Sequence, residues 1–206
     1  MTSLFNSSLY LFMINHYNRY LFALLLLLVI SCTKTYTPKP YGYFRIDLPK
    51  KEYAKITNEL PYKFEIPSYA KLVDDKDVGA EKYWVNVQFP QFNATIHISY
   101  KALHGNIDQI IDDSHKMAYK HSVKADAIKE TGLFMEEKRV FGLMYEIKGD
   151  AASSVQFTLT DSTNHFVRGA LYFNNIPNKD SLAPVVKFIK DDVIRLMESF
   201  EWTNVK

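Results

Sequence analysis

A single cysteine, Cys32, occurs in the 206 residues, which excludes an intramolecular disulfide and any Cys-based zinc site. Seven glycines and eight prolines are too few for a collagen-like or Pro-rich low-complexity chain. Neither sign of charge dominates: 25 basic against 23 acidic residues leave +2, which argues against nucleic acid as the main partner. The sequence contains no G-x-S-x-G elbow, no G-x-G-x-x-G or G-x-x-x-x-G-K phosphate loop and no H-E-x-x-H, so the usual signatures of nucleophilic, nucleotide and zinc-hydrolase chemistry are missing. What the chain does have is apolar content, 47% hydrophobic and 15% aromatic, enough for one globular domain.

The N-terminus reads as an address. Residues 1–31 hold no Asp or Glu and a single Lys or Arg, Arg19, followed by an apolar run from Tyr20 to Ile30 and then by Ser31 and Cys32. A positive residue, a short apolar stretch and a small residue are the parts of a secretory signal. Eleven helical residues reach only about 17 Å, short of the roughly 30 Å hydrocarbon core. Met13 opens a compact n-region by itself and is an alternative translation start. Leu28-Val29-Ile30-Ser31-Cys32 resembles the bacterial lipobox, in which a diacylglyceryl group is joined to the cysteine sulfur and cleavage makes Cys32 the new N-terminus. Each buried CH₂ contributes about 0.8 kcal/mol, so several acyl chains (palmitate among them) anchor durably where one does not. The expected organisation is a lipoprotein signal peptide over 1–31, a lipidated tether over 32–40 and a single globular domain over 41–206. So short a tether keeps everything the protein touches within about 60 Å of the membrane.

Along the mature chain, residues 41–48 alternate Phe44, Ile46 and Leu48 with Tyr43, Arg45 and Asp47, the period of a half-buried strand. Tyr62, Phe64 and Ile66 share one face of a short extended piece. Residues 83–89 and 94–100 alternate on either side of Pro90-Gln-Phe-Asn93 and predict a β-hairpin. Asn106, with Gln109 three residues on, suggests a capping box opening a helix that runs to about residue 121. Strands are expected near 125–130, 133–137, 140–148, 154–160 and 166–173. A last helix follows over 181–199, with Pro184 in its first turn and an Asp191–Arg195 pair. The expected fold class is therefore α+β: antiparallel β-sheet layers with two main helices.

Candidate sites are sparse. His115 and His121 lie six apart on one predicted helix and do not share a face. Asp74, Asp75 and Asp77 before Gly79 lack the Glu that a calcium loop needs at its twelfth position. His97 and Ser99 are ordinary i,i+2 strand neighbours. The expectation is no catalytic, cofactor or metal residues, and not an enzyme. Cys32 is the lipidation site, and Tyr43, Arg45 and Asp47 are candidate partner-binding residues on the first strand, because Tyr and Arg are favoured at interface hot spots. Trp84 and nearby tyrosines offer a second reading, stacking on sugars, beside a plain core role.

The run Tyr36-Thr-Pro-Lys-Pro-Tyr-Gly-Tyr-Phe-Arg-Ile-Asp-Leu-Pro49, together with the lipobox, the hairpin and the terminal Ser199-Phe-Glu-Trp202, resembles the GldD family of gliding-motility lipoproteins of Bacteroidetes. Tyr41 departs from the family pattern, which carries Arg there. The resemblance implies a membrane-anchored envelope protein required for gliding, linked to type IX secretion, that acts as a scaffold or stabiliser of other gliding and secretion proteins. The alternative is a periplasmic glycan- or lipid-binding module. The absence of acid in Thr33-Lys34-Thr35 favours a periplasm-facing location. More distantly, the order of elements resembles the PsbP/Mog1-like sandwich, a binding fold.

Overall fold

The computed structural model describes residues 46–120, 124–174 and 178–203, together with His16, Tyr17 and Arg19. The chain divides into two units, 1–44 and 45–206. In the first, His16, Tyr17 and Arg19 are helical and exposed. Cys32, Tyr43 and Arg45 lie outside the described residues. Among the described residues, no helix is long and apolar enough to cross a membrane.

The second unit opens with three short strands, β1 (Tyr53–Lys55), β2 (Tyr62–Lys63) and β3 (Glu65–Pro67). Seven more, β4 (Lys71–Asp74), β5 (Val85–Phe89), β6 (Ala94–Ala102), β7 (Ala125–Met135), β8 (Val140–Gly149), β9 (Ser153–Thr160) and β10 (His165–Phe173), form one sheet in the order β4-β5-β6-β10-β9-β8-β7. Every pairing in it is antiparallel. Helix α1 (Ile107–Tyr119) follows β6, and helix α2 (Lys179–Glu198) follows β10. A terminal strand, β11 (Glu201–Trp202), pairs with β2. The architecture is α+β, as the sequence pattern implies.

Strand alternation sorts the sheet into two unlike faces. On one, Val85, Val87, Ile96, Ile98, Val155, Phe157, Leu159, Val167 and Leu171 are buried against Ile189, Val193, Leu196 and Met197 of α2 and against Tyr62, Phe64 and Phe200. Gly169 belongs to this face: a Cβ there would lie 2.2 Å from the Phe157 ring, so only glycine lets that ring settle on the strand. The other face carries His97, Ser99, Lys101, Gln156, Thr158 and Arg168, and α1 covers part of it. There Ala118 packs with Tyr145, Ile147 and Ala151 in a small separate cluster.

The expected hairpin forms over 85–102, with Phe89 opposite Ala94, but Tyr83 and Trp84 lie outside its first strand, Tyr83 in a turn at φ 71°. A 3-10 turn at Pro90–Phe92 ends on Asn93 at φ 49°, a left-handed position that Asn tolerates. Elsewhere the structure corrects the expectations. Residues 46–48 are not strand, and Leu48 is exposed while Ile46 is partly buried on the core. β7 runs unbroken through Thr131 and Gly132, because each residue from Ala127 on has a partner in β8. The Asn106 side chain makes no capping bond to α1; its Oδ1 accepts from His104 N instead. Helix α1 buries only Ser114 and Ala118, leaving Ile111 and Met117 exposed. Asn178 caps α2, accepting from Ser181 N at 3.1 Å, so the helix starts before Ser181 and Pro184 falls inside it. Arg195 bypasses Asp191 for Glu65 on β3, with Nη2 at 2.7 Å and Nε at 2.8 Å from Oε2.

Candidate functional site

Of the expected lipidation and partner-binding residues, only Asp47 is described. Its side chain is exposed, in extended non-strand backbone, and its carbonyl accepts from Gln91 Nε2 at 2.9 Å. The chain just beyond it is fastened to α2. Asp192 is 2% exposed, a carboxylate on the apolar stripe of an otherwise amphipathic helix. Its Oδ1 accepts from Tyr53 Oη at 2.7 Å and its Oδ2 from Tyr69 Oη at 2.6 Å, and Lys51 Nζ lies 2.9 Å from Oδ1. Lys51 also donates to the Phe188 carbonyl at 2.7 Å and sits 4.3 Å over the Phe188 ring, on which Tyr69 stacks. Burial first, and then the carboxylate that accepts their protons, push the Tyr53 and Tyr69 hydroxyls well above the ordinary phenol range. Both phenols stay protonated donors, and the charge of Asp192 is fully engaged. This clasp is a structural lock.

A different arrangement occupies the polar sheet face. Between α1, the loop before β5, and strands β6 and β10 lies a cavity of about 660 Å³. Its floor includes His97, Ser99 and Arg168; its walls include Trp84, Ile110 and Met117; Asp75, Asp77 and Asp113 also line it. Trp84 is held in place by Nε1, which donates to the Tyr100 carbonyl at 3.0 Å. Lys101 pairs with Glu81 and rides 5.7 Å over the Trp84 ring. Arg168 is otherwise placed: its Nη2 donates to Gln156 Oε1 at 2.6 Å. Among the described residues no carboxylate lies within ion-pair range of its guanidinium. Burial lowers its pKa from the ordinary value, and the Tyr172 hydroxyl counters that.

Two buried polar atoms beside this floor have no hydrogen-bond partner, Gln156 Nε2 and Asn86 Oδ1. The register places them in one row across the sheet: Asn86 opposite His97, His97 opposite Ala170, Ala170 opposite Gln156. Each such atom costs about 1–3 kcal/mol, so this face is not organised for packing alone. Among the described residues, no group of three or more His, Cys, Asp or Glu is placed to hold a metal ion.

Sequence reasoning brought Trp84 forward and missed Arg168 and Asp192. Both had a visible signal. Arg168 is a cation between Phe166 and Ala170 on one face of a strand, and Asp192 is an acid three residues after Ile189 and four before Leu196. A charge on a patterned apolar stripe marks a position whose partner must come from elsewhere in the fold.

Comparison with known proteins adds the remaining findings. The family described as "Gliding motility lipoprotein GldD" matches residues 33–202, beginning at the residue after Cys32. The solution structure of cyanobacterial PsbP (CyanoP) from Synechocystis sp. PCC 6803 is similar at a TM-score of 0.47 and 10% identity, covering 80% of this chain and 100% of its own. No curated protein sequence matches.

Proposed function

The chain belongs to the GldD family of gliding motility lipoproteins, and from that premise we propose that it is a lipid-anchored, non-enzymatic scaffold that stabilises or positions motility and type IX secretion proteins at the envelope. The observation that carries this reading is the family match over 33–202, set directly behind the chain's sole cysteine. Lipidation of the Cys32 sulfur, followed by cleavage of the Ser31–Cys32 bond, fixes the domain to a membrane. The acid-free Thr33-Lys34-Thr35 supports a periplasm-facing orientation. Tyr43, Arg45 and Asp47, between Cys32 and Lys51 in the sequence, are the candidate contacts to partners.

The test compares wild type with Cys32→Ser in cells. The wild type should fractionate with membranes and co-purify with other gliding proteins, and the variant should stay unprocessed or mislocalised. Normal processing and membrane retention of the variant would refute the anchor. A reproducible blank in the wild-type purification would refute the scaffold.

A second reading, a glycan-binding module, is favoured by one specific observation: Trp84 lines a cavity with polar groups rather than being sealed in the core.

A further inference from the structure

We infer that the cavity under α1 binds an acidic saccharide, its carboxylate held by Arg168 and its ring against Trp84. This rests on the glycan-binding reading and names the class of sugar. The first support is Arg168 itself. A half-buried guanidinium, with Nη2 on Gln156 Oε1, the Tyr172 hydroxyl beside it and no carboxylate in ion-pair range among the described residues, has donors left for an anion. A planar five-donor fork is the side chain best shaped for a carboxylate.

The second support is the lining around it. Ser99, His97 and Asn106 share the cavity with Asp75, Asp77 and Asp113, a set rich in acceptors for sugar hydroxyls. Those carboxylates disfavour a polyanion, so a single negative charge on a hydroxyl-rich body suits the site. Trp84, Ile110, Met117 and Phe166 supply apolar surface for the less polar face of a pyranose. The third is the floor: Gln156 is 1% exposed, its Oε1 orients Arg168, and its Nε2 has no hydrogen-bond partner among the described residues.

The test titrates the full chain in detergent with N-acetylmuramic acid and with N-acetylglucosamine, the same ring with a 3-hydroxyl in place of the lactyl ether that carries the carboxylate, by calorimetry. The acidic sugar should saturate, and the neutral one should bind about tenfold to a hundredfold more weakly, the effect of one hydrogen-bonded charge. Arg168→Gln should bring the acidic sugar down to the level of the neutral one, while Arg168→Lys retains part of the preference. Should Arg168→Gln fail to fold, Met117→Trp, a change on the exposed wall that fills the cavity, should abolish binding of both sugars with the melting profile intact. Equal affinity for the two sugars, or an unchanged preference in Arg168→Gln, would overturn the role of Arg168 and leave the glycan reading standing. No saturable binding of either would overturn both.

Discussion

Replacing Asp192 with Ala should strip the domain of its most deeply set charge pairing. The carboxylate is 1% exposed, with Lys51 at 2.9 Å and the Tyr53 and Tyr69 hydroxyls at 2.7 and 2.6 Å. Removing one partner of a buried ion pair costs about 3–5 kcal/mol, because the groups left behind stay desolvated. Here the lower end applies. Lys51 keeps the Phe188 carbonyl at 2.7 Å and a side chain 25% exposed, so water reaches part of the wound. A loss of about 3 kcal/mol is a large share of a total of roughly 5–15 kcal/mol, and at about 2–4 °C per kcal/mol it lowers the melting midpoint by about 6–12 °C. Urea unfolding should show the midpoint fall with an unchanged slope. A double-mutant cycle of Asp192→Asn with Tyr69→Phe supplies the stricter check, since bonded neighbours couple by about 0.5–3 kcal/mol. Additivity of the two changes, or an Asp192→Ala variant within about 0.5 kcal/mol of wild type, would refute the claim that the carboxylate holds the clasp.

Two further outcomes follow from the core and the β9–β10 turn. Burial alone would raise the Asp161 carboxyl, but the N–H groups of Asn164, His165 and Thr163 and the Thr163 hydroxyl hold it at about 2, below the ordinary 3.8. Its folded value is depressed, so its contribution is fully present above the unfolded value and is lost as pH falls through about 2. Asp161→Asn should flatten the acid limb of a stability–pH curve measured by urea midpoints, and an unchanged limb would contradict the assignment. Gly169→Ala should destabilise by about 1–3 kcal/mol, the cost of overpacking, because the fully buried Phe157 ring has nowhere to go. A neutral result in thermal melts would show that the ring can shift.

The elements legible in the sequence were those whose pattern is local. The 85–102 hairpin declared itself through strict alternation on both sides of Asn93, and α2 through the spacing of Ile189, Val193, Leu196 and Met197. Where a local rule was in competition, it lost. Thr131-Gly132 suggested a break, yet the cross-strand ladder to β8 carries β7 through. Asn106 had the spacing of a cap, but its side chain was taken by the backbone N–H of His104. The cavity was not legible at all, because its lining comes from four stretches of chain joined only by the register of β5, β6 and β10. Fold class followed from periodicity; site geometry required long-range pairing that no short pattern encodes.

The lock on α2 also constrains when the domain can exist. Tyr53 and Asp192 are 139 positions apart, and β2 waits for β11 at the far end of the sequence. The first contact needs the chain through residue 192 and the second through residue 202, so the clasp and the β2–β11 pairing close only when nearly the whole domain has been synthesised.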